Sequence, residues 1–152
     1  MDTRIQDISL GRNEMVFVDV GASKLLPINV LGDGIRKVGS ILASLFSLTD
    51  GVLLIDELEN GLHYETQKIL WKGILANLAD SKNQLFVATH SKECLLALKE
   101  AMETDERKAL QNEFGAFSMN LDSQNTLKMY EYDFEKFAFS ISNSIEIRGG
   151  EF

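Results

Sequence analysis

Cys94 is the sole cysteine of this 152-residue chain. That excludes an internal disulfide framework and any multi-cysteine zinc site. Proline is equally scarce, with Pro27 alone beside 11 glycines, so collagen-like, low-complexity and largely disordered chains are excluded too. Long apolar runs are missing: the longest, around Ile41–Leu48 and Val52–Ile55, are interrupted or bounded by Ser, Thr and Asp, so no segment is expected to span a bilayer. The opening Met1–Gln6 has no apolar leader core, and the expectation is a cytoplasmic protein that makes no membrane contact. Basic charge is also short. Lys and Arg number 15 against 23 Asp and Glu, a net charge of −8, and no basic run exceeds the pairs Arg36-Lys37 and Arg107-Lys108. Nucleic-acid binders usually carry a basic excess because phosphate contacts supply most of their affinity, so DNA binding by this chain alone is disfavoured.

What remains is 45% hydrophobic and 25% charged, the composition of one globular domain with a real core. No linker, repeat or biased segment divides it, so residues 1–152 are read as a single unit. Residues 14–20 alternate as a strand, and 24–30 form a weaker one after the turn at Gly21. Leu31-Gly32-Asp33-Gly34 opens an amphipathic helix whose apolar positions are Ile35, Val38, Ile41, Leu42, Leu45 and Phe46, stopped by Thr49-Asp50-Gly51. Val52–Ile55 is a short continuous apolar run, the pattern of a strand buried on both faces. A helix over about 64–79 follows, then a second apolar strand at Gln84–Thr89, and Ser91 caps the next helix. Residues 117–121 and 126–132 alternate as an antiparallel hairpin, Asp133 caps a last helix, and Ile145–Arg148 closes the chain as a strand or extended tail. Strand, helix, strand, helix through residues 52–102 requires a parallel crossover, so the class is α/β.

Four elements carry chemistry. Val52–Ile55 runs into Asp56 and Glu57, two acids at the carboxyl end of a strand, where open α/β sheets bind ligands. An aspartate there can hold a hydrated Mg²⁺, and a glutamate one step further can orient or deprotonate water for attack on a phosphoryl group. The plain alternative is a strand that ends in solvated acids. The strand Gln84–Thr89 ends at His90, which the crossover places on the same sheet edge as Glu57. Its imidazole can hydrogen-bond a terminal phosphate, or be an ordinary satisfied polar group. Gly32, Asp33 and Gly34 stand at a helix start, where free N–H groups form an anion site; otherwise this is a glycine turn with Asp33 as N-cap. Glu59-Asn60-Gly61-Leu62-His63 follows the acidic pair directly and is by itself a polar turn. A metal-hydrolase reading from His63, His90, Asp56 and Glu57 is weaker, since the histidines fall on different loops with no ligand pair at i, i+4.

In this order, the four elements resemble the C-terminal half of an ABC-type ATPase domain. The branch is that of the SMC-like, RecF-like and OLD-like soluble ATPases and bacterial AAA-family ATPases with an ABC-type fold. Leu31–Ile35 sits where that family has its signature motif, Val52–Glu57 matches Walker B, Glu59–His63 the D-loop and Thr89–Ser91 the switch-histidine loop. The likeness covers roughly residues 28–96. It implies a partial P-loop NTPase sheet with parallel core strands, flanking helices and a C-terminal antiparallel hairpin. It further implies that Asp56 coordinates Mg²⁺ through water, that Glu57 is the catalytic base and that His90 contacts the γ-phosphate of ATP. Gly32, Asp33 and Gly34 would face ATP bound by a second protomer, with Asn60 and His63 in the loop that crosses between protomers. The usual signature serine is replaced by Gly32, which removes a hydroxyl donor.

No Gly-x-x-x-x-Gly-Lys-[Ser/Thr] occurs anywhere in the chain. That loop normally cradles the nucleotide phosphates and supplies a lysine and a Mg²⁺ ligand. In the family it lies N-terminal to everything seen here, on a strand between the one carrying His90 and the later β elements. The resemblance therefore implies a C-terminal half, inactive alone, whose strand edge at Gln84–Thr89 needs a missing N-terminal half in cis or trans, or a second copy of itself. The alternative is a non-catalytic dimerisation or regulatory module derived from such an ATPase. DNA or a phage-defence effector is the partner class at family level only.

Overall fold

The computed structural model of the chain describes residues 7–10, 16–19, 21, 24–27, 32–121 and 124–147. Three short strands, β1 (Asp7–Leu10), β2 (Val16–Asp19) and β3 (Leu26–Pro27), form an antiparallel sheet in that order, with Asp7 opposite Asp19 and Phe17 opposite Pro27. The ends of the two expected N-terminal strands, at 14, 15, 20 and 28–30, lie outside the described residues, as does Leu31. β1 is an element that the sequence pattern did not announce, since four residues are too few to establish an alternation.

Helix α1 (Asp33–Ser47) then begins at Gly32 as N-cap. Asp33 is not the cap; it is the first helical residue, and its carboxylate pairs with Arg36 one turn on. Val38 and Leu45 are buried and Ile41 and Leu42 pack beside them, whereas Phe46 stands 61% exposed. β4 (Val52–Asp56) follows, then α2 (Tyr64–Asp80), β5 (Gln84–Ala88) and α3 (Lys92–Met102). β4 and β5 pair in parallel, with Val52 opposite Gln84 and Asp56 opposite Ala88, so α2 is the crossover that a parallel pair demands. Ser91 caps α3 as expected, its Oγ accepting the Cys94 N–H at 3.2 Å.

The core lies on one side of this strand pair. Leu70, Trp71, Ile74 and Leu75 of α2 meet Leu45 of α1 and Cys94, Ala97 and Met102 of α3, while Leu53, Ile55, Leu85 and Val87 pack against them from the strands. The other face is bare: Val52 is 53% exposed, Leu54 73% and Phe86 57%. The expectation of strands buried on both faces is therefore corrected. A parallel pair is covered on both sides only when the chain supplies two layers, and the described residues supply one.

A 3-10 segment, Asp105–Glu113, leads to the hairpin β6 (Ala116–Leu121) and β7 (Leu127–Tyr132), with Met119 opposite Met129. Asp133 caps α4 (Phe134–Ser142), accepting the Lys136 N–H at 2.8 Å, and Phe134 and Phe137 pack against Phe114 at ring separations of 5.7 and 4.9 Å. Residues 145–147 form no strand, and Arg148 of the expected closing strand lies outside the described residues. β4–β5 and β6–β7 are separate two-stranded sheets, so β5 has β4 as its one partner among the described residues. No helix among the described residues is long and apolar enough to cross a membrane.

Candidate functional site

The parallel register brings the two strand ends together. Asp56 sits opposite Ala88 in the last rung, and the ladder runs one residue further, where the Glu57 N–H donates to the Ala88 carbonyl at 3.0 Å. Glu57 and His90 thus leave the same edge, and Asp56, Glu57 and His90 are all exposed there. Neither surface cleft of note includes them: one of 150 Å³ lies between α3 and residues 144–147, the other of 210 Å³ between α2 and α3. The site is an open edge, not a pocket.

The loop after β4 is held from beneath. Leu58 is fully buried and Leu62 nearly so, which turns Glu57, Asn60 and Gly61 outward. Glu57 has φ +48° and Gly61 φ +75°. Glycine takes that conformation freely, but for a residue with a Cβ it costs about 1 to 2 kcal/mol. Strain of this kind persists only where surrounding bonds over-determine it. Here the Glu57 carbonyl accepts the Asn60 N–H at 3.0 Å and the Lys37 ammonium at 2.8 Å, and the Asn60 carbonyl accepts the same ammonium at 3.1 Å. The Asn60 amide reaches the Glu57 carboxylate at 3.5 Å, a long contact. His63 ends the loop as N-cap of α2, its carbonyl accepting the N–H groups of Thr66 and Gln67.

The start of α1 lies against this loop. A Cβ on Gly34 would stand 3.1 Å from the Gly61 carbonyl oxygen and 3.3 Å from Leu62, so glycine permits the approach. Around Gly32 there is open space, so packing does not explain that glycine. Gly32 and Asp33 are exposed at the helix N-terminus, on the side of the molecule that carries the Glu57 loop.

Two further residues organise the edge. Glu59 accepts the His90 N–H at 3.3 Å through one carboxylate oxygen, while its other oxygen is buried without a partner. Lys37 clamps the loop from α1. Glu59 was visible in sequence as part of the acidic string, but nothing in its immediate neighbourhood pointed at His90. Lys37 gave no local signal at all, being 20 residues from Glu57. Behind the site, burial pushes the Cys94 thiol up to about 11, so it is neutral and unreactive at ordinary pH.

A parallel strand pair with acids at one end and histidine beside them, under a helical layer, is the core of a P-loop ATPase domain of the ABC/AAA type. The fold agrees: a solved structure from a study of ATP-driven dimerisation and DNA-stimulated activation of SMC ATPases matches with a TM-score of 0.55 at 15% identity, covering 90% of this chain and 74% of that one. Residues 2–96 match the family described as "AAA domain, putative AbiEii toxin, Type IV TA system", and the chain belongs to that family. An ATP/GTP phosphatase of Helicobacter pylori (strain ATCC 700392 / 26695) is 32% identical over 105 residues, which make up 66% of this chain and 28% of that protein. The chain therefore matches under a third of the length of this curated relative.

Proposed function

We propose that this chain is the half of an ABC-type ATP-hydrolysing domain that carries Walker B, the D-loop and the switch histidine, and that it turns over ATP only when a half bearing the phosphate loop joins it. The observation that carries this reading is the parallel register that sets Asp56 and Glu57 beside His90 on one exposed edge. Family membership supports the chemistry, and the absence of Gly-x-x-x-x-Gly-Lys-[Ser/Thr] supports the dependence on a partner half. Glu57 takes the proton of a water as its oxygen attacks the γ-phosphate in line, and ADP departs with the bridging oxygen. His90 donates a hydrogen bond to the γ-phosphate, and Gly32, Asp33 and Gly34 offer helix N–H groups to nucleotide held by a second protomer. Asn60 and His63 lie in the stretch that would cross to that protomer. Asp56, a single carboxylate open to solvent, suits Mg²⁺ whose remaining ligands are water and phosphate oxygens. Among the described residues no group of three or more ligating side chains forms a metal cage, so the ion would be held together with the nucleotide.

The bare strand face supports the same reading. Val52, Leu54 and Phe86 form an apolar surface beside the β5 edge, which suits the strand and helix that a phosphate-loop half would bring. A non-catalytic dimerisation module rests on one fact, the missing phosphate loop. Calorimetry with Mg-ATP and turnover assays, on the chain alone and joined to a phosphate-loop half, separate these readings. No binding alone, turnover on joining, and loss of turnover in Glu57→Gln are expected. Binding by the chain alone that Asp56→Ala abolishes would refute the split-site reading.

A further inference from the structure

We infer that Lys37 is a positioning residue for the hydrolytic base, holding Glu57 in its left-handed conformation from the first turns of α1. The inference rests on the role proposed for Glu57. Both peptide groups of Glu57 are fixed from opposite sides: its N–H by the Ala88 carbonyl of β5 at 3.0 Å, its carbonyl by the Lys37 ammonium at 2.8 Å. An ammonium has three donors and no acceptor. Two of the three go to the carbonyls of Glu57 and Asn60, the two ends of one turn closed by the 3.0 Å bond between them. Without that cation, a residue bearing a Cβ at φ +48° has a steric incentive to relax toward negative φ. Such a change rotates the Cα–Cβ bond and re-aims the carboxylate. The reach of Lys37 is itself set, because Gly34, one turn earlier, packs α1 onto Gly61 and Leu62 of the same loop. Asp56, next to Glu57 in the chain, is held instead by the last rung of the β4–β5 ladder, and His90 stands beyond the end of β5. Loss of Lys37 therefore misdirects the base while leaving most of the nucleotide contacts in place.

The test uses the assembled ATPase, this chain joined to its phosphate-loop half, with Lys37→Met, Lys37→Arg and Glu57→Gln compared with wild type. A misplacement of about 1 Å at a reacting group can cost about 100-fold in rate. Lys37→Met is thus expected to lower kcat about 100-fold with KM for Mg-ATP within about threefold of wild type. Lys37→Arg, which keeps a charged donor able to span both carbonyls, should recover most of the loss. In amide exchange, residues 57–62 should lose protection in Lys37→Met while α2 and α3 keep theirs. An unaltered kcat in Lys37→Met beside an inactive Glu57→Gln overturns the inference and leaves the ATPase reading standing. Full turnover in Glu57→Gln overturns that reading, and this inference with it. Loss of protection throughout the chain, in Lys37→Met and equally in Lys37→Gln with its neutral donor on a shorter stem, makes Lys37 a general stabilising residue and overturns the positioning role.

Discussion

Replacing Leu54 by threonine separates the stability of this chain from its capacity to associate. Leu54 is 73% exposed at the centre of β4, flanked on the same face by Val52 and Phe86. Fully burying a leucine contributes about 1.5 to 3 kcal/mol, so roughly three quarters of that, about 1 to 2 kcal/mol, is still to be gained when something covers the face. Threonine, being β-branched, suits a strand and gives up most of this gain. The chain alone should therefore unfold within about 0.5 kcal/mol of wild type, as expected for an exposed position. Association, with itself or with a phosphate-loop half, should weaken about 5- to 30-fold. Leu53, one residue earlier and packed against the core, should show the opposite profile, with threonine there costing the fold itself about 2 kcal/mol or more. Denaturant unfolding and sedimentation velocity measure the two effects on the same samples. Destabilisation of the isolated chain by more than about 1 kcal/mol in Leu54→Thr would refute the reasoning, since a side chain so exposed has little burial to lose.

Asn83, 8% exposed, accepts the Gly51 N–H at 3.1 Å and donates toward the carbonyls of Leu45 and Leu48 at 3.4 Å, tying the end of α1 to the start of β4. Asn83→Ala should cost about 2 kcal/mol, read as a fall of about 4 to 8 °C in the thermal midpoint. Cys94, raised to about 11 chiefly by burial, stabilises the fold as a neutral thiol. Its unfolded value lies near 9.0, so this contribution is complete below that pH and is lost as pH rises toward about 11. Unfolding midpoints of wild type and Cys94→Ala should therefore converge across that range, and parallel curves would contradict it.

From β4 to α4 the strands and α-helices were legible in the sequence, because apolar periodicity and caps agreed: Ser91 and Asp133 both cap the helices that follow them, while the 3-10 segment Asp105–Glu113 was not read. Other features depended on partners distant in sequence. A continuous run such as Val52–Ile55 says that a strand is apolar, yet which face is covered depends on a second layer that these residues do not contain. Gly32 rather than Asp33 became the N-cap, since the choice between neighbours turns on backbone angles, and Asp33 instead pairs with Arg36. The catalytic candidates could be read from strand ends because the crossover rule brings those ends together. Their supports could not: Lys37 lies 20 residues from Glu57, and Glu59 lies 31 from His90. Side chain to backbone bonds over such separations leave no periodic trace.

The five-rung ladder between β4 and β5 also sets a clock. Asp56 and His90 are joined along the chain only through the whole of α2, so the edge they share lasts as long as that ladder stays closed. A parallel pair with no further strand beside it among the described residues opens more readily than the helices packed under it, and each opening disperses the site without unfolding the core. The Glu57 amide, bonded to Ala88 just past the last rung, reports every such event. Its exchange lifetime, against that of a mid-α2 amide such as Ile74, measures how long the site remains assembled between interruptions, and a third strand docking on β5 would lengthen it.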